Sequence, residues 1–141
     1  MQEATADIPT PDGAMEPFIC GSERGDPVPA VLTLTDAPGI QDELYDMARH
    51  HASVGYVVPL SNLYYQAGRD TEYDYANVME HGSDEHSRIR VISIKMTIPP
   101  VMRDVGTMLT LTDADPAIRS DPVGTHGHCM SGQYSLTAAA R

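Results

Sequence analysis

The stretch G-H-C-M-S-G over 127–132 combines a thiol, an imidazole and the small residues that a sharp strand-to-helix turn requires. A turn of that kind strains its apex residue and demands small neighbours two positions to either side; here these are Gly127 and Ser131 around Cys129, with Gly132 next. At the apex the thiol would lie at a helix N-terminus, where unpaired N–H groups and the helix dipole favour the thiolate. The N–H of Met130 would then meet the oxyanion formed when that thiolate attacks a carbonyl. A second donor is expected from the turn after an earlier strand. T-D-A-P-G over 35–39 is the source, and within it Ala37 has an N–H to give while Pro38 has none. On spacing alone, a buried cysteine in an ordinary Gly-rich turn remains open beside the catalytic reading.

Histidines are the natural partners of such a thiol, and the sequence places them poorly. His128 adjoins Cys129 on an extended segment, so its side chain should point to the opposite face. His126 shares the face of His128 but lies one dipeptide, about 6–7 Å, down the strand. His50, His51, His81 and His86 fall on a helix and in a polar stretch, where histidines are usually solvated. H-G-H-C also offers three zinc-compatible groups, yet alternation splits them between faces and no C-x-x-C completes a tetrahedral set, so no metal and no cofactor is expected.

The elements that must position these groups follow from punctuation and periodicity. Residues 1–14 read as a polar lead-in, and M-E-P-F-I-C over 15–20 as an edge strand because of Pro17. A-V-L-T-L-T over 30–35 suits a buried strand. Ile40, Leu44, Met47, Ala48 and His51 then mark one face of a helix that stops at Gly55, and Y-V-V-P-L over 56–60 is a second buried strand. A long Tyr-rich loop is expected after it, with Tyr64, Tyr65, Tyr73 and Tyr75 lining a pocket or covering a core edge. R-I-R-V-I-S-I-K-M over 88–96 fits a strand or a helix. Val101, Val105, Met108 and Leu109 predict a helix opened by proline, and 122–128 a strand feeding the turn and a final helix. Alternating strands and helices predict an α/β fold: a mostly parallel sheet with helices on both faces, its site at the carboxyl ends of the strands.

Composition narrows the partners. The 141 residues suit one domain, and 20 acidic against 9 basic residues give a net charge of −11, which disfavours nucleic acid and anionic membranes. No apolar run approaches the roughly 20 residues that span a bilayer, and the acidic start lacks the form of a leader, so a cytoplasmic location is expected. The two cysteines, Cys20 and Cys129, are expected to be free thiols.

G-H-C-M-S-G-Q-Y-S-L-T-A-A-A-R (127–141), the run from Val28 to Asp70 and V-M-R-D-V-G (101–106) together resemble the dienelactone hydrolase family of α/β-hydrolases. The resemblance implies an α/β-hydrolase-type fold, truncated just after the nucleophile turn, with 1–141 a single partial domain. It implies Cys129 as nucleophile, Ala37 and Met130 as oxyanion donors, and Asp36 as the residue that orients the resting thiol; a helix cap is the alternative use of Asp36. A basic residue usual after L-Y-Y is Gln66 here, with Arg69 three residues on, and Tyr64, Gln66 and Arg69 are the candidate substrate contacts. The family's triad acid and histidine come from chain beyond the turn helix and map onto nothing in these residues.

The implied activity is hydrolysis of a carboxylic ester, of lactone type, through a thioester, with a small-molecule ester or lactone as substrate. The alternative is a catalytically silent hydrolase-like fragment or interaction module. An unpaired edge on the strand before Cys129 would favour self-association.

Overall fold

The computed structural model describes residues 1–21, 25–68, 73–119 and 122–140. Its elements in chain order are the strands β1 (Gln2–Thr5), β2 (Ile8–Thr10), β3 (Gly13–Met15), β4 (Phe18–Gly21) and β5 (Val31–Leu34), helix α1 (Asp42–Ser53), strand β6 (Val58–Ser61), helices α2 (Tyr75–Met79), α3 (Asp84–Ser93) and α4 (Ile98–Ala114), strand β7 (Gly124–Gly127) and helix α5 (Gly132–Ala139). Five strands form one sheet in the order β1-β4-β6-β5-β7, and β2 and β3 form a separate hairpin. β5 pairs in parallel with both β6 and β7, while β4 runs antiparallel to β1 and β6. Only β4 therefore opposes the common direction, and the mostly parallel α/β architecture holds.

Strand alternation divides the core between the two faces. Cys20, Val58 and Leu60 point toward Leu44, Ala48 and Ala52 of α1. On the other face, Leu32 and Leu34 join Val101, Val105 and Met108 of α4 and Tyr134 of α5. Each such large apolar side chain contributes roughly 1.5–3 kcal/mol by leaving water, so this double burial is what fixes the rim at the ends of β5, β6 and β7. α1 opens with Asp42 and Glu43 and closes with His50 and His51, which suits the helix dipole, and it stops before Gly55 at φ 107°. Both cysteines are free thiols.

Two expectations need correction. M-E-P-F-I-C is not an edge: β4 lies between β6 and β1, because residues 2–5 zip onto its outer side in the register Gln2↔Gly21 to Thr5↔Phe18. Pro17 precedes the paired residues and interrupts no ladder. The long Tyr-rich loop likewise contains α2 and the start of α3. Its polar residues are caps: Asp74 accepts from the Ala76 N–H, and Ser83 from the His86 N–H. The ambiguous 88–96 run is helical through Ser93. Among the described residues no helix is long and apolar enough to cross a membrane.

Candidate active site

Cys129 stands just past the carboxyl end of β7, exposed, at φ 50°, and is the one non-glycine residue with positive φ among those described. Left-handed backbone costs an L-residue of order 1–2 kcal/mol, so the surroundings must hold it there. Two residues do so. A Cβ on Gly127 would lie 2.5 Å from the carbonyl oxygen of Ser131, so glycine alone lets the chain double back this tightly. Ser131 is fully buried; its Oγ accepts from the His128 N–H at 3.0 Å and donates to the Leu34 carbonyl at 3.1 Å. The turn is thus bolted to the end of β5. Cys129–Ser131 form a 3₁₀ turn that runs directly into α5, leaving the thiol at the entry to a helix.

The 35–39 turn meets it from β5. The Asp36 carbonyl accepts from the Gly39 N–H at 3.3 Å, with Gly39 at φ 88° closing the turn. Asp36 Oδ2 accepts from the Gln41 amide at 3.3 Å, whereas Oδ1 is buried and has no hydrogen-bond partner among the described residues. Burial pushes the Asp36 carboxyl up from its ordinary range, opposed by the Gln41 hydrogen bond and by the nearby His128. Gln41 and Tyr73 also line a cleft of about 270 Å³, together with Ile40, Asp42 and Glu43.

The third contribution comes from the end of β6. Tyr64 is fully buried, and its hydroxyl donates to the Ala37 carbonyl at 2.9 Å while lying 3.5 Å from Met130 Sδ. Ala37, Met130 and Cys129 are therefore brought to one rim. Gln66 is exposed, with its amide 3.5 Å from the Tyr65 hydroxyl. Arg69 and the side chain of Tyr75 lie outside the described residues.

Three of the histidines stack on one another beside this rim. His126 sits opposite Thr33 in the β5–β7 register, on the face covered by α1. Its ring stacks edge-on against His51 of α1 at 4.9 Å and against His128 at 4.3 Å. Burial, then the neighbouring His128 and His51, push the His126 pKa down, which favours neutral imidazole. Among the described residues, no group of three or more His, Cys, Asp or Glu could hold a metal ion.

Sequence reasoning missed the Tyr64 link and the Ser131–Leu34 bond, which join residues 27 and 97 positions apart. Only the small size demanded at Ser131 hinted at the second.

Comparison with known proteins gives this rim a context. The family model for dienelactone hydrolases matches residues 15–141. A curated protein of Bradyrhizobium sp, named as a 2-oxo-3-(5-oxofuran-2-ylidene)propanoate lactonase, is 26% identical over 112 residues, covering 79% of this chain and 41% of its own length. A presumed dienelactone hydrolase of Klebsiella pneumoniae superposes with a TM-score of 0.75 at 17% identity, over 94% of this chain and 53% of that one. A dienelactone hydrolase-like promiscuous phosphotriesterase from metagenomic libraries does so with a TM-score of 0.68 at 20% identity, over 99% and 54%. The chain spans about half the length of these structures and less of the curated relative. At such identities the structures speak for the α/β-hydrolase fold alone, and the family match carries the assignment: the chain belongs to the dienelactone hydrolase family.

Proposed function

We propose that the protein is a carboxylic-ester hydrolase of lactone type with Cys129 as nucleophile. The observation that carries this reading is the strained, exposed Cys129 at the mouth of a helix, held there by a glycine whose replacement would collide with backbone. The Cys129 thiolate attacks the acyl carbon, and the N–H groups of Met130 and Ala37 receive the oxyanion. The ring carbon–oxygen bond of the lactone breaks, the alkoxide stays tethered to the acyl group and takes a proton from water, and the thioester that remains is hydrolysed by water. Asp36, whose buried Oδ1 has no hydrogen-bond partner among the described residues, is the acceptor that holds the resting S–H. Cys20 is unsuited to this role: it is wholly buried in β4, and desolvation raises its thiol pKa.

Substrate class follows from the lining. Gln66 stands where the family has a basic residue, and Asp42 and Glu43 line the neighbouring cleft, so a neutral lactone or ester fits better than a carboxylated one. The lactonase name of the Bradyrhizobium relative supports a cyclic ester, although the compound in that name carries a carboxylate. Free thiols suit a reducing compartment, and we place the protein in the cytoplasm.

A second reading, a hydrolase-like module without turnover, is favoured by the His126 ring, which is engaged by His51 on one side and His128 on the other. β7 ends the sheet with its outer side unpaired among the described residues, and such an edge favours association of two chains.

The two readings separate on a single measurement. With p-nitrophenyl acetate, intact mass should reveal one acetyl group, removable by hydroxylamine, that is lost in Cys129→Ala and kept in Cys20→Ala. An adduct that survives Cys129→Ala, or no adduct at all, overturns the nucleophile assignment.

A further inference from the structure

We propose that Tyr64 is a positioning residue that sets the orientation and spacing of the two oxyanion-binding N–H groups, which rests on the nucleophile reading above. Its phenol stands where the turns after β5 and β7 meet, with the oxygen against the Ala37 carbonyl on one side and Met130 Sδ on the other. The ring is fully buried, and the Tyr64 backbone N–H is itself fixed by Asn62 Oδ1 at 3.0 Å. Tyr64 therefore has little freedom of its own to lose, and it transmits that rigidity to both turns.

The Ala37–Pro38 peptide makes this link unusually consequential. Proline carries no N–H, so the carbonyl is the only hydrogen-bonding group by which that peptide can be held. Tyr64 holds it. The preceding Asp36–Ala37 peptide is held at its carbonyl by the Gly39 N–H. The Ala37 N–H belongs to that preceding peptide, opposed to the Asp36 carbonyl, and the Tyr64 bond fixes the plane that follows, so Ala37 is held against rotation from both sides. On the other side, the thioether cannot donate, so its contact with the hydroxyl positions the Met130 side chain, and through it the turn that bears the Met130 N–H. Burial pushes the Tyr64 pKa up to about 12, so the phenol remains a neutral donor over the working range of a thiol enzyme.

This role separates from simple structural support by the electrophile used. Attack on p-nitrophenyl acetate forms a carbon–sulfur bond and an oxyanion, then expels nitrophenolate; iodoacetamide is displaced at carbon with loss of iodide and forms no oxyanion. Removing one oxyanion donor outright costs about 10²–10³-fold, and misaiming two donors should cost about 10-fold or more. In the full chain, Tyr64→Phe should slow acetylation of Cys129 by at least about 10-fold while alkylation stays within about two-fold. Met130→Leu, which keeps the bulk but removes the sulfur contact and leaves the Ala37 bond, should slow acetylation by less than Tyr64→Phe does, with alkylation unchanged. The amide resonances of Ala37 and Met130 should both move in Tyr64→Phe, with the remaining spectrum that of a folded chain.

Equal slowing of acetylation and alkylation, or an unchanged acetylation rate, overturns the positioning role while leaving the nucleophile in place. A parent chain that alkylates but never acetylates refutes the nucleophile reading and this one with it. If Tyr64→Phe unfolds, Met130→Leu carries the test: acetylation and alkylation slowed equally, or neither slowed, likewise overturns it.

Discussion

Two cysteines in one chain have opposite surroundings, and the contrast separates what the fold stores from what it presents. Cys20 lies in the middle of β4 with extended backbone, fully buried against α1, where burial raises its thiol pKa. Cys129 lies beyond the end of β7 with left-handed backbone, exposed at the start of a helical turn. The first is a small apolar side chain in a packed layer, and the second is held in a conformation that packing alone would not select. Backbone position thus sets thiol exposure: a strand interior buries the group, and a strand-to-helix turn at the sheet's carboxyl edge presents it to solvent.

The largest expected effect is a direct test of that difference. Under native conditions iodoacetamide should label Cys129 at least about 10³-fold faster than Cys20, since a buried strand thiol reacts only when the sheet opens. Peptide mapping after a short pulse reads the ratio, and in denaturant it should collapse toward one. Comparable native rates would break the contrast. The next effect compares the neighbouring glycines. Gly127→Ala drives a Cβ into the Ser131 carbonyl and should cost about 3 kcal/mol by urea unfolding. Gly21→Ala, beside Cys20, meets only a Val57 methyl at 3.4 Å and should stay within about 1 kcal/mol. Equal costs would mean that the turn is not the tight element.

These tests rest on features that were unequally visible in the sequence. The apex and its glycine were legible because a tight turn restricts residue size locally, and β5, α1 and α4 were legible because burial on one face imposes a period. The place of β4 was not, since whether a strand is an edge depends on residues 2–5 pairing with it, and those are exposed and, apart from Ala4, polar. Asp74 and Ser83 read as loop residues because a capping side chain and a loop side chain are the same types. The Tyr64 bond to Ala37 had no local signature, because it joins ends of different strands that only the sheet order brings together.

A smaller effect refines the contrast at the level of one atom. Cys20→Ser places a hydroxyl in a layer lined by Leu44, Ala48 and Val58, and should cost about 1–3 kcal/mol for the unpaired polar group. Cys129→Ser keeps its group in water and should change stability by less than about 0.5 kcal/mol. Stability that falls more for Cys129→Ser than for Cys20→Ser would reverse the assignment of the two regions.

The aspartates extend the same comparison to pH. Asp104 is buried in α4, where the Tyr65 hydroxyl donates to it at 3.1 Å; Thr10 Oγ1 lies 2.8 Å from that same hydroxyl, so the chain of contacts ties the β2–β3 hairpin to the helix. Burial raises the Asp104 pKa, with the Tyr65 hydrogen bond pulling the other way and Asp12 adding to the rise. A carboxyl whose folded pKa exceeds its unfolded value contributes stability that is fully present below the unfolded pKa of roughly 4 and is lost as pH rises through the folded pKa. Asp104→Asn cannot ionise and still accepts from Tyr65. Its urea midpoint relative to the parent should therefore climb as pH is raised from about 3.5 to 7. A gap that stays constant across that window would mean that Asp104 ionises as freely as it does in the unfolded chain, and that the hairpin side of the sheet is not as dry as the α1 side that holds Cys20.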